Sequence, residues 1–275
     1  MKRFLLLGLL TFSCASAQIK VMSYNLRVDF GGDGDNNWEY RREMLGGQIR
    51  FHAPDFIGTQ EGKAHQLQYL LAHELPGYQY IGISRDDSKT EGEFSAIFFN
   101  ATKFRLLQQA TFWLSETPST KSKGWDAALE RICTYGLFED IKTKSKFYVF
   151  NTHLDHIGEL ARTNSARLIL QKIAELNKEN LPVIFTGDFN SEPASEAYKV
   201  ISAKMNDSRT VSISKPFGPS GTFNGFKFHE PVMKLIDYIF VSKGNVKVDT
   251  FAVLSDSKDC RYPSDHLPVV IEITF

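Results

Sequence analysis

LPVIFTGDFN, residues 181–190, runs apolar and then places Asp188 and Asn190 on either side of Phe189. A short aliphatic and aromatic run stopped at a glycine reads as a buried strand. Polar groups at its end are held by a rigid sheet, in loops that admit a ligand. A second string, SDHLP at residues 264–268, sets Asp265 and His266 just before the strand-like VVIEITF. Carboxylates and imidazoles at strand ends are the groups that metal-assisted phosphoester chemistry draws on.

Outward from these strings the pattern alternates. IKVMSYN predicts a strand ending at Asn25, a Gly/Asp/Asn loop covers 29–37, and a helix is expected from Trp38 to about Phe51. DFIGTQE predicts a buried strand ending at Glu61, and AHQLQYLLAHEL has helical spacing. From Tyr78 to Phe150 the short runs YQYIGI, FSAIFF, TYGLFEDI and KFYVF predict antiparallel strands. A helix over Glu159 to about Asn177, a short one over Glu196 to Ser202, and strands in LIDYIFV, VKVDTFAVL and VVIEITF complete the series. No linker or repeat interrupts it, so 18–275 reads as one α/β domain. Two mixed sheets between helix layers would bring several strand ends to one rim.

Residues 1–17 combine Lys2 and Arg3, an apolar run from Phe4 to Phe12, and the small residues Ala15, Ser16 and Ala17. This is the plan of a cleaved secretory signal, and the apolar run is too short to span a membrane. The expected location is therefore periplasmic or extracellular. Residues 18–275 carry 30 Lys and Arg against 32 Asp and Glu. A protein gripping long nucleic acid by its phosphates needs a basic surplus, which this chain lacks. No stable nucleic-acid partner is expected, and the protein reads as a monomer. Cys133 and Cys260 remain after cleavage, as one disulfide or as two thiols.

The polar residues at predicted strand ends are, in order, Asn25, Glu61, His153 in NTHLDH, Asp188, Asn190, Asp237 in KLIDYIF, Asp265 and His266. Singly, each has an ordinary structural explanation as a turn, cap or buried imidazole. Asp237 is the exception, because a carboxylate within an apolar strand must find a partner. A charged histidine would suit it.

Taken together and in this order, these motifs resemble the endonuclease/exonuclease/phosphatase superfamily, with its deoxyribonuclease I-like fold. FWLSETP at Phe112 to Pro118, with Gly124 and Trp125, further resembles a branch with secreted bacterial and deadenylase-like members. The resemblance implies a four-layered α/β sandwich and a Mg²⁺ or Mn²⁺ site of Glu61, Asn25 and Asp265. It implies that Asp188 activates water and that Asn190 and His153 bind phosphoryl oxygens. His266, charged and oriented by Asp237, would stabilise the phosphate as it reacts. The implied activity is phosphodiester or phosphomonoester hydrolysis on a small or single-stranded substrate. A broad secreted nuclease and a non-catalytic phosphate-binding module are the alternatives.

Arg131 is a candidate for bidentate phosphate contact. His156 and Arg162, following His153 at a helix start, are candidates for reading substrate. Trp38, Trp113 and Trp125 could stack on a base or sugar, or pack in the core. GGDGDNN at residues 31–37 has part of a calcium-loop composition but reads as a turn, since Trp38 replaces the glycine that such a loop needs. There is no GxSxG elbow for a serine nucleophile.

Overall fold

A computed structural model of the chain describes residues 18–88 and 90–275. The predicted leader at 1–17 lies outside the described residues. Two six-stranded sheets stand face to face, in the orders β11-β12-β1-β2-β4-β3 and β5-β6-β7-β8-β10-β9. The first sheet comprises β1 (Ile19–Asn25), β2 (Phe56–Gln60), β3 (Tyr78–Ile81), β4 (Ile97–Asn100), β11 (Lys247–Val253) and β12 (Val269–Thr274). The second comprises β5 (Phe104–Trp113), β6 (Ile132–Asp140), β7 (Lys146–His153), β8 (Val183–Asp188), β9 (Met205–Asp207) and β10 (Asp237–Ser242). Helices α1 (Trp38–His52) and α2 (Ala64–Tyr69) cover the first sheet, and α3 (Glu159–Leu176) and α4 (Glu196–Lys204) the second.

The near-continuous apolar strands follow from this layering, because each central strand is buried on both faces. Along β8, Ile184 enters the core between the sheets, while Val183 and Phe185 pack under α3 and α4. Along β1, Val21 faces the central core and Met22 and Tyr24 face α1. The period of two is therefore present but hidden, since both sets are apolar. Phe56 anchors the centre, its ring 4.7 Å from Phe104, 4.9 Å from Phe138 and 5.3 Å from Phe147.

Toward one rim the apolar core gives way to a polar stitch between the sheets. Asn151 Nδ2 donates to the carbonyls of Thr59 (2.8 Å) and Ala96 (2.9 Å), and its Oδ1 accepts from Gln60 Nε2 (2.7 Å) and Thr186 Oγ1 (3.0 Å). Such a network is stabilising when its donors and acceptors are matched, as most are here. Gly58 is required beside it, because a Cβ there would fall 2.0 Å from Thr186 Oγ1. The stitch sets the spacing of the sheets where the strand ends carry the functional groups.

Four elements depart from expectation. FRLLQQATFW forms β5, an edge strand with a register shift between Leu106 and Gln108. Its exposed polar middle hid it from a search for apolar runs. Helix α2 is shorter than its pattern, and residues Leu70–Glu74 loosen into a π-helical turn. The small elements β9 and α5 (Ser208–Val211) were not anticipated. Cys133 is buried and Cys260 exposed, and both are free thiols.

Candidate active site

The pairs β1/β2 and β7/β8 are parallel, so the carboxyl ends of four strands reach the same rim. Asn25 closes β1, Glu61 follows β2, His153 closes β7 and Asp188 closes β8. His153 lies beside Asp188 in register, and the antiparallel β10 brings Asp237 opposite Asp188. The turn before β12 adds Asp265 and His266. Glu61 (φ 63°) and Asn190 (φ 45°) both adopt the left-handed conformation, uncommon outside glycine and a form of strain that gathers at functional sites.

Asn25 joins the two sheets. Its Nδ2 donates to Glu61 Oε1 and to Asp188 Oδ2, both at 3.0 Å, and its Oδ1 accepts the Arg27 N–H at 3.0 Å. The amide nitrogen of Asn25 therefore holds the two carboxylates together, while its oxygen, with a second lone pair, is the one atom of this side chain that could face a cation.

His266 Nδ1 donates to Asp237 Oδ2 at 2.9 Å, and its Nε2 stands 3.8 Å from Asp188 Oδ2. Thr222 Oγ1 fixes the same Asp237 oxygen at 2.5 Å. Burial opposes a charge on His266, but the carboxylates of Asp237 and Asp188 outweigh it and hold the imidazole well above its ordinary range. The proton belongs on His266. Burial, reinforced by Asp237, pushes Asp188 up to about 7, where a carboxylate can accept a proton near neutral pH.

His153 is tuned the other way. Burial, with the charges of Arg131 and Arg85, holds it well below the usual histidine value. As a neutral ring it accepts from Asn190 Nδ2 at 3.1 Å, and that amide also donates to the Leu154 carbonyl at 3.0 Å. Asn190 is further located by its own N–H, which donates to Asp188 Oδ1 at 2.9 Å.

Among the described residues, two groups have ligand atoms within 4.8 Å of one another, Glu61–His153–Asp188 and Asp188–Asp237–His266. In the second, the His266 Nδ1–H is committed to Asp237 and the imidazole is held charged, so its ring is no ligand. The first fits a hard divalent cation, because it offers carboxylate oxygens and one neutral imidazole. Burial works against the Glu61 charge, yet His266, Asn25 and the Val28 N–H (2.9 Å) hold its carboxyl below the usual value. Asp265 lies outside both groups, 3.7 Å from Arg27 Nη1, and burial raises its carboxyl.

The cleft over these groups encloses about 360 Å³. Arg131 and His156 line it as expected positions, and Arg27, Arg85, Glu93, Phe223 and Lys234 line it without having been anticipated. Arg131 is buried, with Nε on Asp155 at 3.3 Å and Nη2 donating to His156 Nδ1 at 3.0 Å. Trp113, Trp125 and Arg162 do not line the cleft. Trp113 is buried and donates its Nε1–H to the Arg85 carbonyl at 2.9 Å, so it supports a cleft residue from behind. Arg162 Nη1 donates to the Asp155 carbonyl at 3.0 Å. Trp125 sits in a left-handed turn next to Asp126, whose carboxylate accepts the Ala161 N–H at the start of α3. Trp38 packs in the α1 core.

Residues 22–266 match the Endonuclease/Exonuclease/phosphatase family profile. The chain belongs to the endonuclease/exonuclease/phosphatase family. Members of this family are metal-dependent hydrolases of phosphoester bonds, and this chain is such a hydrolase. An endonuclease/exonuclease/phosphatase family protein from Bacteroides thetaiotaomicron superimposes with a TM-score of 0.91 at 40% identity, covering 94% of this chain and 96% of that one. A mannosyl-6-phosphatase from Bacteroides thetaiotaomicron VPI-5482 gives 0.89 at 41% identity, covering 94% and 100%. A CCR4-Not complex 3'-5'-exoribonuclease subunit Ccr4 from Aspergillus clavatus is 20% identical over 96% of this chain and 54% of its own length. The chain thus spans about half the length of the Ccr4 relatives it matches. Among the described residues no helix is long and apolar enough to cross a membrane.

Proposed function

We propose that this family member is an exported phosphoesterase whose substrate is a small phosphate ester, a phosphorylated saccharide fitting best. The observation that carries the reading is the convergence of Glu61, His153, Asp188, Asn190 and His266 on the floor of a cleft of about 360 Å³. That space suits a small ligand. The likeness to a mannosyl-6-phosphatase at 41% identity supports a sugar phosphate, and the leader-like residues 1–17 support export.

In this reading Asp188 takes the proton of the attacking water, its raised pKa suiting it to the task. The His266 imidazolium, aligned by Asp237, lies beside it and offsets the charge that builds on the phosphoryl oxygens. Asn190, whose amide hydrogens go to His153 Nε2 and the Leu154 carbonyl, positions the neutral His153 ring on the cleft wall where the phosphoryl group would sit. Glu61, with Asp188 and His153 close by, would hold Mg²⁺ or Mn²⁺, which supplies Lewis-acid charge when bound.

The test is turnover of para-nitrophenyl phosphate, bis-para-nitrophenyl phosphate, mannose 6-phosphate, single-stranded DNA and RNA, with Mg²⁺, Mn²⁺ or chelator. Chelator-sensitive hydrolysis of the small esters is expected. Cleavage confined to the polymers would overturn the reading in favour of a nuclease, and binding without turnover would favour a binding module.

A further inference from the structure

Most cations around the cleft are already paired. Arg27 forks onto Asp33 at 2.8 and 2.9 Å, Arg85 meets Glu93 at 2.7 Å, and Arg131 meets Asp155 at 3.3 Å. These guanidiniums orient donors but bring little net charge. Lys234 is different. Among the described residues no carboxylate lies within ion-pair distance of its ammonium, which stands 5.2 Å over the Phe223 ring.

The position of Lys234 is built. Its carbonyl accepts the N–H groups of Thr222 (2.8 Å) and Phe223 (3.0 Å), clamping the two segments side by side. The Phe223 ring meets the His266 ring nearly edge-on, at 5.1 Å and 70°. Thr222 and Asp237, flanking these residues in sequence, fix His266 itself. These two clamped segments therefore orient the charged imidazole and set an uncompensated ammonium one ring beyond it. Both face the same cleft.

We propose that Lys234, carried on Phe223, is the specificity-determining residue that makes this cleft favour phosphate monoesters over diesters. The inference rests on the phosphoesterase reading above and names its substrate class. A monoester carries a second negative charge near neutral pH, whereas a diester carries one. An unpaired lysine gains a charge-assisted bond to the extra oxygen. In a diester that oxygen bears carbon and offers the ammonium far less. The aromatic face limits the wandering of the lysine side chain while leaving its charge available. Also lining the cleft, His156 accepts from Arg131 at Nδ1, which leaves its Nε2–H for the alcohol portion of the substrate.

The experiment compares wild type, Lys234→Gln and Lys234→Arg on para-nitrophenyl phosphate and its methyl diester, which share a leaving group. Lys234 is exposed, so the variants fold. For Lys234→Gln, kcat/KM on the monoester is expected to fall ~10- to 100-fold and on the diester by less than ~3-fold. Lys234→Arg should recover most of the loss. Equal falls on both esters, or no fall on either, overturn the proposal. Calorimetric binding of inorganic phosphate in Mg²⁺ gives a second reading, expected ~10-fold weaker in Lys234→Gln. Unchanged phosphate affinity overturns the role of Lys234 even if wild type turns over neither ester, an outcome that refutes the phosphoesterase reading by itself. A wild-type preference for the diester overturns the monoester inference alone.

Discussion

Asp188 and Glu61 lie close enough to share Asn25, yet their environments push them apart. Asp188, facing Asp237 and fully buried, is raised to about 7, while Glu61 is held low by His266 and two hydrogen bonds. Such a split assigns roles, with the proton acceptor on one and the permanent anion on the other. Replacing Asp188 by Ala should lower kcat/KM by ~10³-fold or more, the scale of a lost general base. The fold should be retained, although Asn25, the Asn190 N–H and the His266 charge each lose a partner. Activity within tenfold of wild type, in a variant of unchanged melting temperature, would remove Asp188 from the water side. Glu61→Gln keeps the shape and the Val28 contact but loses the anion. Its divalent-ion activation curve should move to at least ~10-fold higher Mg²⁺. An unshifted curve would take Glu61 off the ligand set.

At the scale of elements, the turn between β7 and α3 is organised by Asp155, a residue with no part in the chemistry. Its carboxylate accepts the N–H groups of Ala128, Leu129, Ile157 and Gly158, at 2.8 to 3.3 Å, as well as Arg131 Nε. Burial alone would raise this carboxyl, but those N–H groups and Arg131 together hold it well below the ordinary range. Asp155→Asn should cost about 2–4 kcal/mol in denaturant unfolding near pH 7. Because the folded pKa is depressed, the wild-type advantage is full above the unfolded value of ~3.9 and shrinks as pH falls below it. A difference that stays constant from pH 7 to pH 3 would show that the charge is not what Asp155 contributes. In sequence this residue is just the Asp of HLDH, and its partners Ala128, Leu129 and Arg131 lie more than 20 positions away. Edge strand β5 was illegible for a related reason. Among the described strands only β6 pairs with it, and its middle faces water, so neither period nor hydrophobicity marks it.

Across the whole molecule, what could be read from sequence followed from where the physics is local. The central strands are buried on both faces and so appear as apolar runs, and their polar terminal residues stand out against them. That is why Asn25, His153, Asp188 and Asp237 were visible as a set. Arg85, Glu93, Phe223 and Lys234 lie in loops of ordinary polar composition, and only the three-dimensional approach of those loops makes them one wall. The tryptophans misled because size and polarity cannot say which way an indole faces, and Trp113 turns inward to hold Arg85. The same global view bears on substrate size. The described chain is nearly charge-balanced, and three of the cleft's four Lys or Arg cations are paired with carboxylates, leaving Lys234 as the one free to add attraction. An enzyme that tracks a polymer through 6–10 phosphate contacts loses ~10³- to 10⁵-fold in affinity between 50 and 200 mM salt. Here one phosphate and one unpaired lysine should give a change of no more than ~3-fold in kcat/KM for a small ester over that range. Measured with Mg²⁺ held constant, a shallow dependence fits a cleft built for one phosphoryl group. A slope approaching that of a polymer-binding protein would mean that the substrate extends over surface well beyond Lys234, and the cleft would then be the end of a longer track.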